Sequence, residues 1–284
     1  MSDTDLTAAF EAERPRLRAI AMRMLGSATD ADDALQEAWL RVAAAPTTEI
    51  DNPPGWLTTV VGRTCLDLLR ARRRRPAPED LADHEVPAPT AQQPAQEAEL
   101  ADSVGLAMLV VLETMSPAER LSFCLHDLFG TPFEEVGEIL GRTPAAARQL
   151  ASRGRRRLQE PDAVAEDRRR HGEVVAAFLA ASREGDFARL IELLDPDATI
   201  VADPSVVEMG GAARLVGAQA VAERFAGGAK AAFEVESEGY PAVAWWHRGE
   251  AKVVFSFLVD DGRITQIELL GDPATLVLLD VHRT

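Results

Sequence analysis

Six arginines crowd the segment 142–157, which contains no acidic residue. A helix starting at Thr143-Pro144 would gather four polar side chains near one face: Arg148, Ser152, Arg155 and Arg156. Arginine makes bidentate contacts with guanine and also binds phosphates, so this pattern favours contact with DNA. The alternative is a helical hairpin with a solvated arginine face, but the segment offers its arginines no acidic partner.

The residues around this segment are typical of a helix-turn-helix. Helices are predicted over about 132–140 and 144–158, with a turn through Gly141 between them. A capping residue followed by proline occurs at Ser116, Thr131 and Thr143, and the first two starts add the glutamate of a capping box. The second of the two helices would then enter a DNA groove.

A second basic cluster, Arg70–Arg75, ends a helix predicted to begin at Asn52-Pro53 and to carry Trp56. Basic residues beside an aromatic suit unpaired DNA, whose bases stack on such side chains. The alternative is a helix that ends in basic residues and makes no contact with DNA. It is at least as good an interpretation of these residues alone, because cations stabilise a helix C-terminus and a tryptophan is more often a core residue.

The helix that precedes this one begins with acidic residues. Asp30 is predicted to cap it, with Asp32 and Asp33 in its first turn, where carboxylates interact favourably with the helix dipole. From these residues alone, a solvated acidic surface is the better interpretation.

Composition changes along the chain indicate several domains. Residues 76–100 alternate prolines with alanine, glutamine and acids, which predicts a linker without a core. Residues beyond Pro161 predict two helices with a break at Gly185-Asp186, followed by strands of an antiparallel sheet and a hairpin turn at 260–263. The predicted fold class is therefore multidomain, with two all-α helical domains (1–75 and 101–160) followed by an α+β domain (165–284).

The last domain contains residues that could support a different chemistry. The candidates for a pocket are Asp203, Glu208, Trp245, His247 and Glu268. Acid–base catalysis needs two polar groups within hydrogen-bond reach, and the spacing indicates no such pair. We interpret the domain as a regulatory or small-molecule-sensing domain rather than an enzyme, and predict no metal or cofactor.

Composition also excludes some classes of protein. A net charge of −16 over 284 residues argues against coating DNA and limits DNA contact to local basic patches within a larger complex. Cys65 and Cys124 are too few for a disulfide framework and are predicted to be reduced core residues. The chain shows no secretory signal and no apolar run that could span a bilayer, so a cytoplasmic protein without membrane contact is predicted.

Three segments together resemble the extracytoplasmic-function sigma factors of the sigma-70 family. Residues 30–41 resemble region 2.2, residues 52–75 resemble regions 2.3 and 2.4, and residues 116–158 are similar to region 4. The last domain resembles a SnoaL-like domain through Ala177-Phe178-Leu179 and Gly185-Asp186-Phe187, and such an extension is typical of the SigJ-like branch. The resemblance implies a cone-shaped α+β fold for this domain.

The resemblance also implies a role for each group of residues. The clamp coiled coil of the largest polymerase subunit would bind Asp32, Asp33, Gln36 and Glu37. The −10 element would be recognised and melted by Asn52, Trp56, Arg63, Asp67, Arg70, Arg73 and Arg74. Region 4 would bind the polymerase flap. It would read the −35 element through Arg142, Thr143, Pro144, Ala147, Arg148, Ser152, Arg153, Arg155 and Arg156.

The implied function is promoter recognition and transcription initiation with core RNA polymerase. The C-terminal domain would contact the sigma domains and modulate their activity, in a direction that the sequence leaves open, as it does any small-molecule ligand. Two alternatives remain: a one-component helix-turn-helix regulator with a ligand-binding SnoaL-like domain, and a SnoaL-like isomerase or hydrolase with a helical appendage. The region 2-like block, residues 5–75, argues against the first, because a one-module regulator does not need it.

Overall fold

The computed structural model describes residues 3–45, 50–74, 111–279 and 281–283 of the chain. The chain divides into two compact units, Met1–Met115 and Ser116–Thr284. The predicted linker, 76–100, lies outside the described residues. Within the described ranges, no helix is both long enough and apolar enough to cross a membrane.

The first unit contains three helices: α1 (Asp3–Leu25), α2 (Ala28–Ala44) and α3 (Pro53–Arg74). Apolar residues at helical spacing form its core, among them the fully buried Leu17, Ile20, Met24, Leu57 and Leu66.

Two helix starts in this unit test the sequence predictions. Asn52 caps α3 as predicted, since its Oδ1 accepts a hydrogen bond from the Gly55 N–H at 3.2 Å. The predicted cap of α2 was wrong, because Ser27 is the N-cap and its hydroxyl accepts from the Asp30 N–H. Asp30 instead forms an ion pair with Arg72 of α3 at 2.6 Å.

The second unit begins with the helix-turn-helix. Its helical elements are α4 (Pro117–Phe123), a π-helical turn (Cys124–Leu128), α5 (Phe133–Leu140) and α6 (Pro144–Gln159). Both predicted helices are thus confirmed to within one residue. Gly141 ends α5 with φ 66°, a left-handed conformation that glycine adopts without steric cost.

The three predicted helix caps of the helix-turn-helix differ in outcome. The capping box at Ser116 and Glu119 is present, and Thr143 caps α6 by accepting from the Ala146 N–H at 3.2 Å. The capping box at Thr131 was wrong: Pro132 is the N-cap of α5, with no side-chain cap. The reason is that α5 begins one residue later than the proline pattern implies.

The remainder of the unit is α+β, as predicted. It comprises α7 (Pro161–Glu184), α8 (Phe187–Leu193), β1 (Leu194–Ala202), α9 (Pro204–Glu208), β2 (Arg214–Val216), α10 (Ala218–Phe225), β3 (Ala232–Ser237), β4 (Tyr240–His247), β5 (Glu250–Asp260), β6 (Arg263–Leu270), α11 (Pro273–Leu278) and β7 (His282–Arg283). The strand order is β2-β1-β6-β5-β4-β3-β7. The sequence predicted an antiparallel sheet, but the observed sheet is mixed, because β1 and β6 are parallel neighbours.

The two faces of this sheet are covered differently. On the inner face, Val253 and Phe257 of β5 join a core with Phe178 of α7 and Phe225 of α10. On the outer face, Val254 packs with Leu270 and Leu279 near α11. Further along the outer face lie polar side chains: Ser256, Gln266 and Glu268. These three residues contact the helix-turn-helix.

Candidate DNA-binding and polymerase-binding surfaces

The acidic residues predicted to bind polymerase lie along one side of α2. Asp32, Asp33 and Gln36 are exposed, and Glu37 is partly buried. Asp32 pairs with Arg18 of α1 at 2.6 Å, and this hydrogen bond holds the pKa of the Asp32 carboxyl below its usual value. Asp32 is thus anchored to α1, and Asp33 and Gln36 remain open to a partner.

Leu40 belongs to the same surface, although the sequence analysis did not select it. Asp33, Gln36, Glu37 and Leu40 follow the three-to-four spacing of one helix face, and Leu40 is 68 % exposed. A single exposed leucine is common on protein surfaces, but here it adds an apolar contact to the acidic residues that a partner protein could bury. We define the α2 face by these four residues.

Residues predicted to bind the −10 element differ in their accessibility. Asn52, Arg63 and Asp67 are exposed and Trp56 is partly buried. Asp67 accepts a hydrogen bond from Arg41 of α2 at 3.0 Å, which ties α3 to α2. Arg73 and Arg74 belong to α3, but the structure does not describe their side chains.

Arg70, predicted to bind the −10 element, is buried in the first unit. It is only 3 % exposed, so its guanidinium does not face solvent on the surface of the first unit. Its position explains the burial, because Leu66 lies four residues earlier on the same helix face and is fully buried. The helical period, rather than the basic run, determines where Arg70 lies.

The helix α6 presents part of the predicted −35 group at its surface. Pro144 and Arg148 are exposed, whereas Ser152 is partly buried. The Arg148 guanidinium lies 5.1 Å from the centre of the Phe133 ring of α5, within range of a cation–π contact. Ala147 is fully buried between the helices, so its predicted role as a DNA contact is corrected to a packing role.

Two further arginines of α6 form ion pairs within the unit. Arg155 pairs with Asp127 of the π-helical turn, and Arg156 pairs with Asp167 of α7, each at 2.5 Å. Both arginines keep more than a third of their side-chain surface exposed. Exposed pairs of this kind are weak, so DNA phosphates could replace the carboxylates.

Arg142, at the turn of the helix-turn-helix, is buried against the outer face of the sheet. Its Nε donates to Glu268 at 2.7 Å, its Nη1 to Glu238 at 2.6 Å and its Nη2 to Ser256 at 2.7 Å. The side chains of Arg142 and Glu268 are 4 % and 1 % exposed. Burial alone would lower the pKa of Arg142, but the two carboxylates outweigh it and raise that pKa.

The same carboxylate also binds the start of the recognition helix. Glu268 Oε1 accepts a hydrogen bond from the backbone N–H of Thr143 at 2.8 Å. Gln266 of β6 donates to the Thr143 hydroxyl at 2.7 Å, and Gln149 of α6 donates to the Val259 carbonyl at 3.2 Å. We call these contacts, with those of Arg142, the α6–sheet interface.

Glu238 reaches Arg142 from an unfavourable backbone conformation. It has φ 54° and occupies the hairpin turn between β3 and β4 with Gly239, at φ 81°. Two consecutive residues with positive φ form a type I′ turn, whose first position favours asparagine or glycine. A glutamate there costs stability, which indicates that its contact with Arg142 compensates for the strain.

Arg153 is partly buried in a second polar cluster beneath α6. Its guanidinium lies 3.4 Å from the centre of the Tyr240 ring, and its Nη2 lies 3.5 Å from His171 Nδ1. His171 donates through Nε2 to the Pro241 carbonyl at 3.0 Å. Burial, aided by the charge of Arg153, lowers the pKa of His171 to about 4, so this histidine is neutral near pH 7.

The five candidate pocket residues do not form a site. Asp203 caps α9 and accepts from the backbone N–H groups of residues 271 and 272, while Glu268 belongs to the α6–sheet interface. Glu208 is exposed, and Trp245 and His247 lie near the end of β4. The predicted grouping is therefore wrong, since two of its acids are occupied by structural hydrogen bonds.

The space between the inner face of the sheet and its helices is filled by aromatic side chains. Phe178 contacts Phe225 and Phe257 edge to face, with ring centres 5.1 and 5.4 Å apart. The cavity left beside them measures about 20 Å³, which is room for a water molecule at most. Among the described residues, no group of histidine, cysteine and acidic side chains could hold a metal ion.

Comparisons with known proteins identify the family of this chain. The family described as sigma-70 region 2 matches residues 9–75, and the family described as sigma-70, region 4, matches residues 106–158. The probable ECF RNA polymerase sigma factor SigI of Mycobacterium tuberculosis is 36 % identical over 283 residues, covering 97 % of each chain. The ECF RNA polymerase sigma factor SigJ of the same species is 42 % identical over 199 residues, 68 % of this chain and 64 % of that one.

A solved structure also covers nearly the whole chain. The crystal structure of SigJ from Mycobacterium tuberculosis aligns over 96 % of this chain and 99 % of its own, with 30 % identity and a TM-score of 0.38. The full-length similarity to SigI covers the α+β domain as well as the helical ones. The chain therefore belongs to the extracytoplasmic-function sigma factors of the sigma-70 family.

Proposed function

We propose that this sigma factor binds core RNA polymerase through the α2 face, with the clamp coiled coil of the largest subunit as its partner. The exposed residues of α3 would recognise and melt the −10 element, and α6, with region 4 on the polymerase flap, would read the −35 element. The exposed Leu40 among acidic residues supports the first assignment, and the outward position of Arg148 on α6 supports the last.

We further propose that the C-terminal domain holds region 4 in a conformation that cannot bind the −35 element. The observation that carries this proposal is the position of Glu268. Its carboxylate accepts from the Arg142 guanidinium and from the backbone N–H at the start of α6. Both are groups that bind a DNA phosphate, so Glu268 would compete with DNA for them.

The proposal implies that polymerase and promoter displace the sheet from α6. Binding to core polymerase would bring both DNA-reading helices near their elements, and their combined affinity would exceed that of either alone. A one-component regulator would need no region 2. The aromatic side chains that fill the space beneath the sheet argue against an enzyme. We expect no catalytic turnover.

Transcription with purified core polymerase tests this function. Promoters are first selected from a randomised DNA library with core polymerase bound to the complete chain, and run-off transcripts are then measured with and without the chain. We expect no initiation without the chain, and loss of −35-dependent initiation for Arg148→Ala. Arg189→Ala is a matched control, because Arg189 lies on α8 and pairs with Glu192. Tight duplex binding by the free chain, with no gain from core polymerase, would favour the one-component regulator.

A further inference from the structure

A cleft of about 610 Å³ lies between α6, α7 and the β5–β6 hairpin. Ligand sites in proteins commonly have volumes of 300–1,000 Å³. The α6 wall presents side chains at three-to-four spacing: Arg148, Gln149, Ser152, Arg153 and Arg156. The opposite wall is formed by residues 258–262 and Thr265, with Asp260 and Asp261 exposed at the hairpin tip.

The arginines of this cleft differ in their partners. Arg156 pairs with Asp167, and Arg170 of α7 pairs with Glu166. Arg148 and Arg153 instead contact the aromatic rings of Phe133 and Tyr240, and neither forms an ion pair with a described carboxylate. Two guanidinium groups on one wall are therefore available to an anion.

Arg153 is the stronger indication of a ligand. Its guanidinium lies between the Tyr240 ring and the neutral His171, and burial lowers its pKa. A guanidinium stays protonated in proteins, so withdrawal from water leaves a charge without full compensation. An anion entering the cleft would supply the missing counter-charge.

We propose that this cleft binds a small phosphorylated ligand of sugar-phosphate or nucleotide size. The phosphate would bind Arg148 and Arg153, with hydroxyl and amide donors from Ser152 and Gln149. The acidic hairpin tip repels a second anionic group, but its carboxylates accept hydrogen bonds from sugar hydroxyls. A DNA duplex offers the same phosphates and is therefore a separate arm of the test.

The effect of the ligand follows from where the cleft lies, and rests on the proposed function. Because the cleft exists only while the sheet covers α6, a ligand that fills it stabilises the covered state. The ligand would therefore act as a co-repressor, lowering the affinity of region 4 for the −35 element.

Calorimetry with the complete chain tests the site directly. The probes are AMP, ribose 5-phosphate and inorganic phosphate, with adenosine and ribose as uncharged counterparts and a 12-base-pair duplex as the DNA arm. We expect AMP or ribose 5-phosphate to bind at least tenfold more tightly than its uncharged counterpart. Arg153→Gln should weaken that binding tenfold or more, and Arg189→Gln should leave it unchanged.

Three results would overturn the proposal: no binding of any phosphorylated probe at millimolar concentration, binding that Arg153→Gln does not weaken, or Arg153-dependent binding of the duplex alone. A competition assay separates this proposal from the preceding one. If a phosphorylated probe binds in an Arg153-dependent way but leaves −35 binding unchanged, the result supports the ligand site. The same result would contradict the proposal that the sheet blocks DNA binding by covering α6.

Discussion

Arg142 and Glu268 lie 126 residues apart in the sequence, yet the Arg142 Nε donates to Glu268 at 2.7 Å in a position closed to water. The first belongs to the turn of the DNA-reading motif and the second to the outer face of the C-terminal sheet. A buried pair of this kind is costly to break on one side only, because the remaining charge stays buried. The pair therefore couples region 4 to the added domain.

Glu268→Gln should loosen the α6–sheet interface. The amide keeps the size of the side chain but removes one of the two charges that compensate Arg142, and breaking such a pair costs about 3–5 kcal/mol. We expect faster amide hydrogen exchange along α6 and at least tenfold tighter binding to a selected −35 duplex. Unchanged exchange and unchanged DNA affinity would contradict this role of Glu268.

Glu238→Asn tests whether α6 is released from the sheet at a smaller cost in stability than in Glu268→Gln. Asparagine suits the positive φ of Glu238 in its turn, so the hairpin should regain about 1 kcal/mol of what the lost contact with Arg142 costs. We expect a smaller fall in melting temperature than for Glu268→Gln, together with increased −35 binding. The matched control is Arg248→Asn, a residue with φ 53° in the β4–β5 turn that has no contact with Arg142 in the described structure. If both variants bind DNA equally, the Glu238 contact does not restrain region 4.

Leu40→Ser should weaken binding to core polymerase. Loss of a buried leucine at an interface costs about 1.5–3 kcal/mol, which corresponds to a tenfold or greater rise in Kd. Stability should not change, since Leu40 is already 68 % exposed in the free chain. Val277→Ser is the control, because Val277 is 59 % exposed on α11. Equal affinities for Leu40→Ser and the parent would remove Leu40 from the polymerase contact.

His171 should make the second unit sensitive to mild acid. Its pKa is lowered from 6.5 to about 4 in the folded protein, so the unfolded chain binds the proton first as the pH falls. The contribution of His171 to stability is thus complete above pH 6.5 and is lost as the pH falls to 4. Between pH 7.5 and 5 the loss is about 2 kcal/mol.

Thermal melts at these two pH values measure that loss. His171→Gln retains a donor toward the Pro241 carbonyl without titrating, so its melting temperature should fall less on acidification than that of the parent. His247→Gln, at an exposed strand end, should behave as the parent does. Parallel shifts in all three proteins would show that another group causes the acid sensitivity.

Local sequence signals predicted much of this fold. The proline-and-cap pattern located α5 and α6 to within one residue, and the predicted hairpin turn at 260–263 joins β5 to β6. These signals succeed because caps, turns and helical periods act over a few residues. Helical period alone would also have placed Arg70 inside, since Leu66 precedes it by four residues.

The site was harder to predict because its contacts are distant in sequence. Nothing near Arg142 indicates that Glu238 and Glu268 neutralise it, so its segment looked like a free basic surface. Equally, Asp203 and Glu268 looked like pocket acids until backbone N–H groups elsewhere proved to be their partners. A polar residue whose hydrogen-bond partners are distant in sequence leaves no pattern in the residues around it.

A reversible disulfide between the helix-turn-helix and α11, beside the α6–sheet interface, tests the central claim most directly. A Cβ built on Gly141 lies 3.6 Å from the Thr275 Cβ, close to the separation of about 3.8 Å in disulfides. In Gly141→Cys/Thr275→Cys, oxidation should fix the sheet against the helix-turn-helix, with the single variants under the same oxidant as controls. We predict that the oxidised protein loses −35-dependent transcription with core polymerase and that reduction restores it. Full transcription by the oxidised, cross-linked protein would contradict the claim that region 4 must leave the sheet to bind promoter DNA.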